Sequence, residues 1–345
     1  MRAVVLRRFG APEELKLEEL EVPSPASGEV LVRVVAVSIN RGFDIGFRRG
    51  QYARGGALPM VLGADPVGTV EAIGNDVADR RIGERVAVMS TIACLACPSC
   101  RQGRVSSCEA SQTIGVHRAG AYADYVAVPA RNVATIPDGL DFPAAMVAAR
   151  HGSAAYNFLV KRGSLRAGET VLVNGASGAL GGFCVQIAKL AGATVIAAAG
   201  AASRVEAAMA LGADFGIDYR AESLDARVKE LTGGRGVDLA FESSADADIF
   251  PRVVASLAPG GRLISAGAHA GHHVPLDVKA VYGRRLQLIG AAGTDVSDLE
   301  WALAAAAAGK VTSRLDRSFQ LPDAAAAHRY VEDQSPAGKV YLTMA

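Results

Sequence analysis

The chain has 345 residues, half of them hydrophobic, and a formal net charge of +1. That length exceeds one comfortable hydrophobic core and predicts two domains. The near-neutral balance carries no electrostatic footprint for nucleic acid or an anionic membrane surface. No apolar run is long enough to span a bilayer, and the opening MRAVVLRRFG lacks the apolar stretch and cleavage site of a signal peptide, so a soluble cytoplasmic protein is expected.

In the first part of the chain, short apolar runs at 30–37, 68–73, 85–89 and 125–128 are separated by Gly and Pro. This spacing predicts strands of an antiparallel, partly barrel-like domain. A cysteine-rich loop interrupts them. Cys94, Cys97, Cys100 and Cys108 read C-x2-C-x2-C-x7-C within TIACLACPSCRQGRVSSCEA. Four thiolates on one short loop suit a closed tetrahedral zinc shell, which leaves no position for water or substrate. The alternatives are two disulfides or four free thiols, and a reducing compartment favours zinc. Cys184 lies in an apolar helical pattern and reads as a buried side chain.

Beyond residue 150 the pattern changes. Strands at 170–173, 194–198, 214–217, 239–242 and 262–266 alternate with helices ending at 190 and at 203–211, 224–231 and 250–257. Alternation of this kind predicts a doubly wound parallel sheet, the Rossmann arrangement. Near Asp295 it stops, and the tail (a helix, a strand at 316–319, a helix, a strand at 340–342) reads as a return to the first domain. The expected division is 1–149 with a zinc lobe at 94–108, then 150–294, then 295–345.

Between the first strand and helix of the alternating region stands NGASGALGG, with Gly175, Gly178 and Gly181 spaced GxxGxxG. Glycines let backbone approach a pyrophosphate, and the helix N-terminus offers free N–H groups. Ala176, Ser177, Ala179 and Leu180 belong to the same predicted phosphate loop. After the second strand, VIAAAGAASR has no carboxylate to hold ribose hydroxyls. Ser203, Arg204 and Tyr219 instead suit a 2′-phosphate, which predicts NADP(H). The plain alternative for Arg204 is a solvated helix charge.

GADPVGTVEAIG at 63–74, GAYADYVAVP at 120–129 and LAPGGRLISAG at 257–267 complete a set of motifs. With the cysteine lobe and the phosphate loop, they make the whole chain resemble the medium-chain dehydrogenase/reductase superfamily. The resemblance implies a Rossmann domain inserted in a GroES-like substrate domain. It also implies a homodimer or homotetramer, for which 286–290 is the candidate pairing edge. Gly267, after a strand whose end faces the nicotinamide in the family, is the expected backbone contact there.

Zinc alcohol dehydrogenases of that superfamily draw catalytic ligands from a Cys, the His of Gly-His-Glu, and a Cys or Asp near the domain junction. Here the first segment is SINRGFDIG, the second is Gly63-Ala64-Asp65, and the third offers Arg150 or, one residue on, His151. The chain looks closer to the quinone oxidoreductase branch, with Asn40 and Asp44 in place of Asn-x-x-Asp but one residue further apart, and with Tyr52 after Arg49-Gly50-Gln51. The expected chemistry is hydride transfer from NADPH to a small quinone or α,β-unsaturated carbonyl without a catalytic metal. Asn40, Tyr52, Arg150 and His151 are the candidates to hold the developing oxyanion or deliver the proton. Two other readings stay open: an alcohol or carbonyl dehydrogenase with unconventional residues, and a nucleotide-binding protein without turnover. His269, His272 and His273 read as a solvated loop rather than a metal site.

Overall fold

The computed structural model describes residues 1–52, 55–334, 336 and 338–344. The chain divides into two compact units, one of Met1–Ser153 with Gly293–Ala345 and the other of Ala154–Ala292. Arg150 and His151 belong to the first unit, where Arg150 pairs with Asp65.

Strand Glu29–Ser38 is the axis of the first unit. Its valine-rich sequence leaves only Arg33 exposed, as β-branched side chains packed on both faces allow. Along one edge it pairs antiparallel with Pro66–Ile73. Along the other, its first half takes Tyr125–Pro129 and its last residues take Lys339–Thr343. Arg85–Val88 and Val133–Thr135 extend the sheet on one side, and Leu315–Gln320 joins Lys339–Thr343 in its one parallel pair. A small sheet of Leu15–Glu19, Arg2–Leu6 and Met60–Val61 packs its apolar residues into the same core, with Val32, Val70, Tyr122 and Leu342. The consequence for function is the placing of the chain's end. Tyr341 lies opposite Ser38, and the Ile39 N–H donates to the Val340 carbonyl at 3.0 Å, which sets Lys339 beside Asn40.

The second unit holds six parallel strands in the order Phe215–Asp218, Thr194–Ala199, Thr170–Asn174, Val237–Glu242, Leu257–Ser265 and Gln287–Gly290. Helices Ala179–Leu190, Ala202–Met209, Leu224–Leu231 and Ile249–Ala255 connect them. This is the doubly wound order, reversing direction at Thr170–Asn174. Inner strands such as TVLVN and TVIAAA are apolar almost throughout because both faces are covered. One expected element differs. The helix expected over 250–257 ends at Ala255, and the following strand begins at Leu257 rather than 262. Leu257 pairs with Val237, a contact between distant segments that local periodicity does not contain. Among the described residues, no helix is long and apolar enough to cross a membrane.

Candidate active site

The glycine loop expected to hold a pyrophosphate follows from backbone geometry. Gly175 leaves strand Thr170–Asn174 with φ +72°, in the region that favours glycine. Its N–H donates to the Ala198 carbonyl at 3.0 Å, which ties the turn to the neighbouring strand. Gly178 caps helix Ala179–Leu190 and has no side chain to accept from the first N–H groups there. A Cβ at Gly181 would lie 2.2 Å from the Gly175 carbonyl oxygen, so only glycine lets the helix sit this close to the turn. Ala176 and Ser177 are buried, while Ala179 and Leu180 are half-buried. These residues fit a bound pyrophosphate: the donors are offered and the cradle is kept open.

At the next strand end, Ser203 and Arg204 are exposed on helix Ala202–Met209. The Tyr219 ring is half-buried, its hydroxyl 2.9 Å from where a Gly200 Cβ would stand. No carboxylate ends strand Thr194–Ala199. Gly267 approaches the neighbouring chain so closely that a Cβ would meet the Ser243 carbonyl oxygen at 2.6 Å. One residue absent from the sequence reading organises this region. Glu242 is fully buried and accepts from Asn174 Nδ2 at 3.2 Å, the Ser244 N–H at 2.7 Å and the Ala245 N–H at 3.1 Å. His269, His272 and His273 are exposed and join no metal-ligating cluster among the described residues.

In the first unit, the sulfurs of Cys94, Cys97, Cys100 and Cys108 lie within 4.8 Å of one another. None is in a disulfide. Cys97 and Cys108 sulfurs stand 4.0 Å apart, close to the edge of about 3.8 Å expected for four sulfurs at zinc-bond length. The Cys97 N–H donates to Cys94 Sγ at 3.3 Å and the Cys94 N–H to Cys108 Sγ at 3.2 Å, the bonding that thiolates accept. The group therefore fits zinc as a closed structural centre.

A second polar cluster stands where the catalytic ligands of zinc alcohol dehydrogenases would be sought. Asn40 follows strand Glu29–Ser38 in extended conformation. The chain then makes a wide helical turn over Arg41–Ile45, in which the Ile45 N–H reaches the Asn40 carbonyl at 3.2 Å. This wide turn absorbs the extra residue between Asn40 and Asp44. Asp44 Oδ2 still accepts the Asn40 N–H at 2.7 Å, and Oδ1 accepts the Gly63 N–H at 3.0 Å. Asn40 Nδ2 donates to Asp65 Oδ2 at 2.7 Å, Ser38 Oγ at 3.1 Å and Asp44 Oδ2 at 3.2 Å. Asn40 Oδ1 accepts from Lys339 Nζ at 2.5 Å. Both ends of the Asn40 amide are thus engaged within the protein. The sequence reading did not include Lys339, whose only local mark is a cation opening an otherwise apolar strand.

Arg150 Nε lies 3.4 Å from Asp65 Oδ2, with 27% of the arginine side chain exposed against 6% of the aspartate. Its guanidinium sits 4.6 Å over the Phe43 ring, and Phe43 in turn leans on Tyr52 at 5.7 Å. A cavity of about 10 Å³, the room of one water, adjoins Asp65, Arg150, Ser90, Ser153 and Thr294. His151 Nε2 is enclosed and has no hydrogen-bond partner. Burial, and then the charges of Lys339 and Arg150, push the His151 imidazole well below its usual range, so it is neutral. Burial raises Asp44 from 3.8 to about 6, with Asp65 adding to the shift and the Asn40 N–H opposing it. Burial lowers Lys339 from 10.5 to about 8, against the pull of Asp65. The donor set here is two engaged carboxylates, an ammonium and a guanidinium, with Ala64 at the histidine position of Gly-His-Glu. Such a set does not fit a catalytic zinc, because cations repel it.

Comparison with known families matches residues 26–138 to the alcohol dehydrogenase GroES-like domain and residues 179–308 to the zinc-binding dehydrogenase domain. The chain is similar to the NAD-dependent alcohol dehydrogenase of Sulfurisphaera tokodaii, with 30% identity across 99% of both chains. It is 30% identical to human quinone oxidoreductase, over 78% of this chain and 73% of that one. The crystal structure of AibC superimposes with a TM-score of 0.95 at 34% identity, over 99% of this chain and 95% of that one.

Two expectations follow from these geometries. Metal analysis of the purified protein should find one zinc per chain, and Cys100→Ser should lose it with a loss of stability on heating. A Cys100→Ser protein that keeps full zinc would show that the four sulfurs are not its shell. The second concerns Asp44. Its folded-state pKa lies above the unfolded value, so the native state binds more protons between these values and the burial penalty is relieved as pH falls through 6. From pH 7 to pH 5, the wild type should gain stability relative to Asp44→Asn by on the order of 1 kcal/mol. Urea unfolding of both proteins across that range measures it, and parallel pH profiles would refute it.

Proposed function

The chain belongs to the medium-chain dehydrogenase/reductase superfamily and is an oxidoreductase, and from that premise we propose that it reduces a quinone or α,β-unsaturated carbonyl with NADPH and without a catalytic metal. One observation carries this reading: the polar cluster of the first unit is closed on itself by Asn40, Asp44, Asp65 and Lys339, and offers a half-exposed arginine. A bound NADPH supplies the hydride. Arg150 takes the substrate oxygen, where charge develops as hydride reaches the β-carbon or quinone ring, and a fixed cation in a low-dielectric site stabilises that charge strongly. Phe43 holds the guanidinium, and Tyr52 beside it offers a flat ring to a conjugated substrate. His151 is neutral, with an enclosed and unpartnered Nε2, and adds no charge to compete with Arg150. The proton that completes reduction comes from Tyr52 or from solvent. One NADPH and one proton are consumed for each substrate reduced by two electrons. Ser203, Arg204 and Tyr219, with no acid at the strand end, support NADP(H) over NAD(H).

A second reading is oxidation of an alcohol with NAD, favoured by the likeness to an enzyme named NAD-dependent alcohol dehydrogenase. One assay separates them. NADPH oxidation, followed at the nicotinamide absorbance with a simple quinone and a short 2-alkenal, should proceed faster than with NADH, and Arg150→Gln should lower kcat/KM by about 10²–10³. Failure with both acceptors, together with NAD reduction by alcohols, would establish the second reading.

The protein is further proposed to form homodimers through the second unit. Strand Gln287–Gly290 ends the sheet at an unpaired edge, and its Leu288 with Val278 and Tyr282 of the preceding helix are 40%, 65% and 70% exposed. Mass measurement in solution should give at least a dimer, and a monomer at micromolar concentration would end this proposal.

A further inference from the structure

Lys339 touches neither substrate nor hydride in the reductase reading, yet it is the least expected buried group of the first unit. Only 7% of it is exposed, and its ammonium donates to a neutral amide oxygen, Asn40 Oδ1. Through that amide it is one step from two buried carboxylates, since Asn40 Nδ2 donates to Asp65 at 2.7 Å and to Asp44 at 3.2 Å. The charged groups around it come from three other segments: Asp44 from the wide turn Arg41–Ile45, Asp65 just before strand Pro66–Ile73, and Arg150 from the turn Ala148–Gly152. His151, on the same turn as Arg150, faces it as a neutral imidazole. Two carboxylates are balanced by two cations, and the cations are held differently. Lys339 is enclosed. Arg150 touches the cluster through one loose contact, Nε to Asp65 at 3.4 Å, and keeps 27% of its side chain exposed.

Buried charge of one sign must be matched nearby. We propose that Lys339 is a positioning residue that neutralises the second carboxylate from within, so that Arg150 is not drawn onto the Asp44–Asp65 pair and stays available to a substrate oxygen. The final strand delivers this charge to the site, because Lys339 opens it directly beside Asn40. Without the lysine, one guanidinium faces two carboxylates in low dielectric and moves inward. This inference rests on the reductase reading only in giving Arg150 the substrate oxygen.

The test reads the arginine directly. Full-length protein is labelled with phenylglyoxal, which modifies accessible guanidinium groups, and modification of the Arg150 peptide is timed by mass spectrometry. Lys339→Met should slow labelling of Arg150 by roughly tenfold, the size expected for charges coupled in one network. The double variant Lys339→Met with Asp44→Asn restores one carboxylate to one cation, and should recover the wild-type rate to within about twofold. Lys339→Arg should label Arg150 as the wild type does. An unchanged rate in Lys339→Met, or a double variant as slow as the single one, overturns the proposal, since a lysine that merely fills space would not be rescued by removing a carboxylate. If Lys339→Met does not fold, Asp44→Asn alone decides: Arg150 should label at or above the wild-type rate, and slower labelling overturns the proposal. The labelling needs no acceptor. A protein that labels as expected but reduces neither quinone nor alkenal would refute the reductase reading and leave this one standing.

Discussion

The first unit depends on two buried carboxylates meeting two cations in one place. Asp44 and Asp65 are 2% and 5% exposed, and burying either carboxylate unpaired would cost several kcal/mol. Asn40 joins the two carboxylates to the ammonium of Lys339 by a single amide, and Arg150 closes the balance from the more exposed side. Four separate chain segments must meet for this to happen. The meeting is achieved by strand Glu29–Ser38, whose last residues pair with the final strand and so carry Lys339 to Asn40. The same geometry is what the proposed reaction draws on. A site already balanced by fixed cations has little attraction for a divalent metal, and its one half-exposed charge suits an anion that forms during reaction.

The second unit works by a different principle. Its glycine loop presents backbone rather than charged side chains, so its requirements are steric. Gly175 supplies a left-handed turn, and Gly181 permits a contact that any Cβ would prevent. Behind the loop, the fully buried Glu242 collects the Asn174 amide and two backbone N–H groups, which secures the ends of two adjacent strands. A carboxylate at this depth is tolerated because it accepts several hydrogen bonds. The zinc lobe is simpler still: four sulfurs from one loop, brought together by turns of a few residues, with backbone N–H groups turned toward them.

The legibility of these features follows the range of the interactions that make them. The four cysteines stand within fifteen positions, and spacing alone suggested their meeting, which the sulfur cluster bears out. The doubly wound sheet was visible because each of its strands and helices is a local pattern. Where a distant partner decides, the reading fell short, as at Leu257, which enters a strand through its pairing with Val237. Asp44 looked one residue out of place, but a wide helical turn brings it back to Asn40. Asn40 stands in the sequence as a candidate to hold an oxyanion, and the structure engages its amide on both sides within the protein. Lys339 was not read at all, since a lysine at the start of a strand is ordinary until its neighbours are known.

The sequence alone determined the family, the doubly wound order, the glycine cradle and the four-sulfur lobe, because each rests on residues close together in the chain whose spacing sets their geometry. The tertiary structure decided which charges meet. Asn40, Asp44, Asp65, Arg150 and Lys339 span nearly the whole length of the chain, and electrostatic balance in a buried site depends on distances in space that no local pattern encodes.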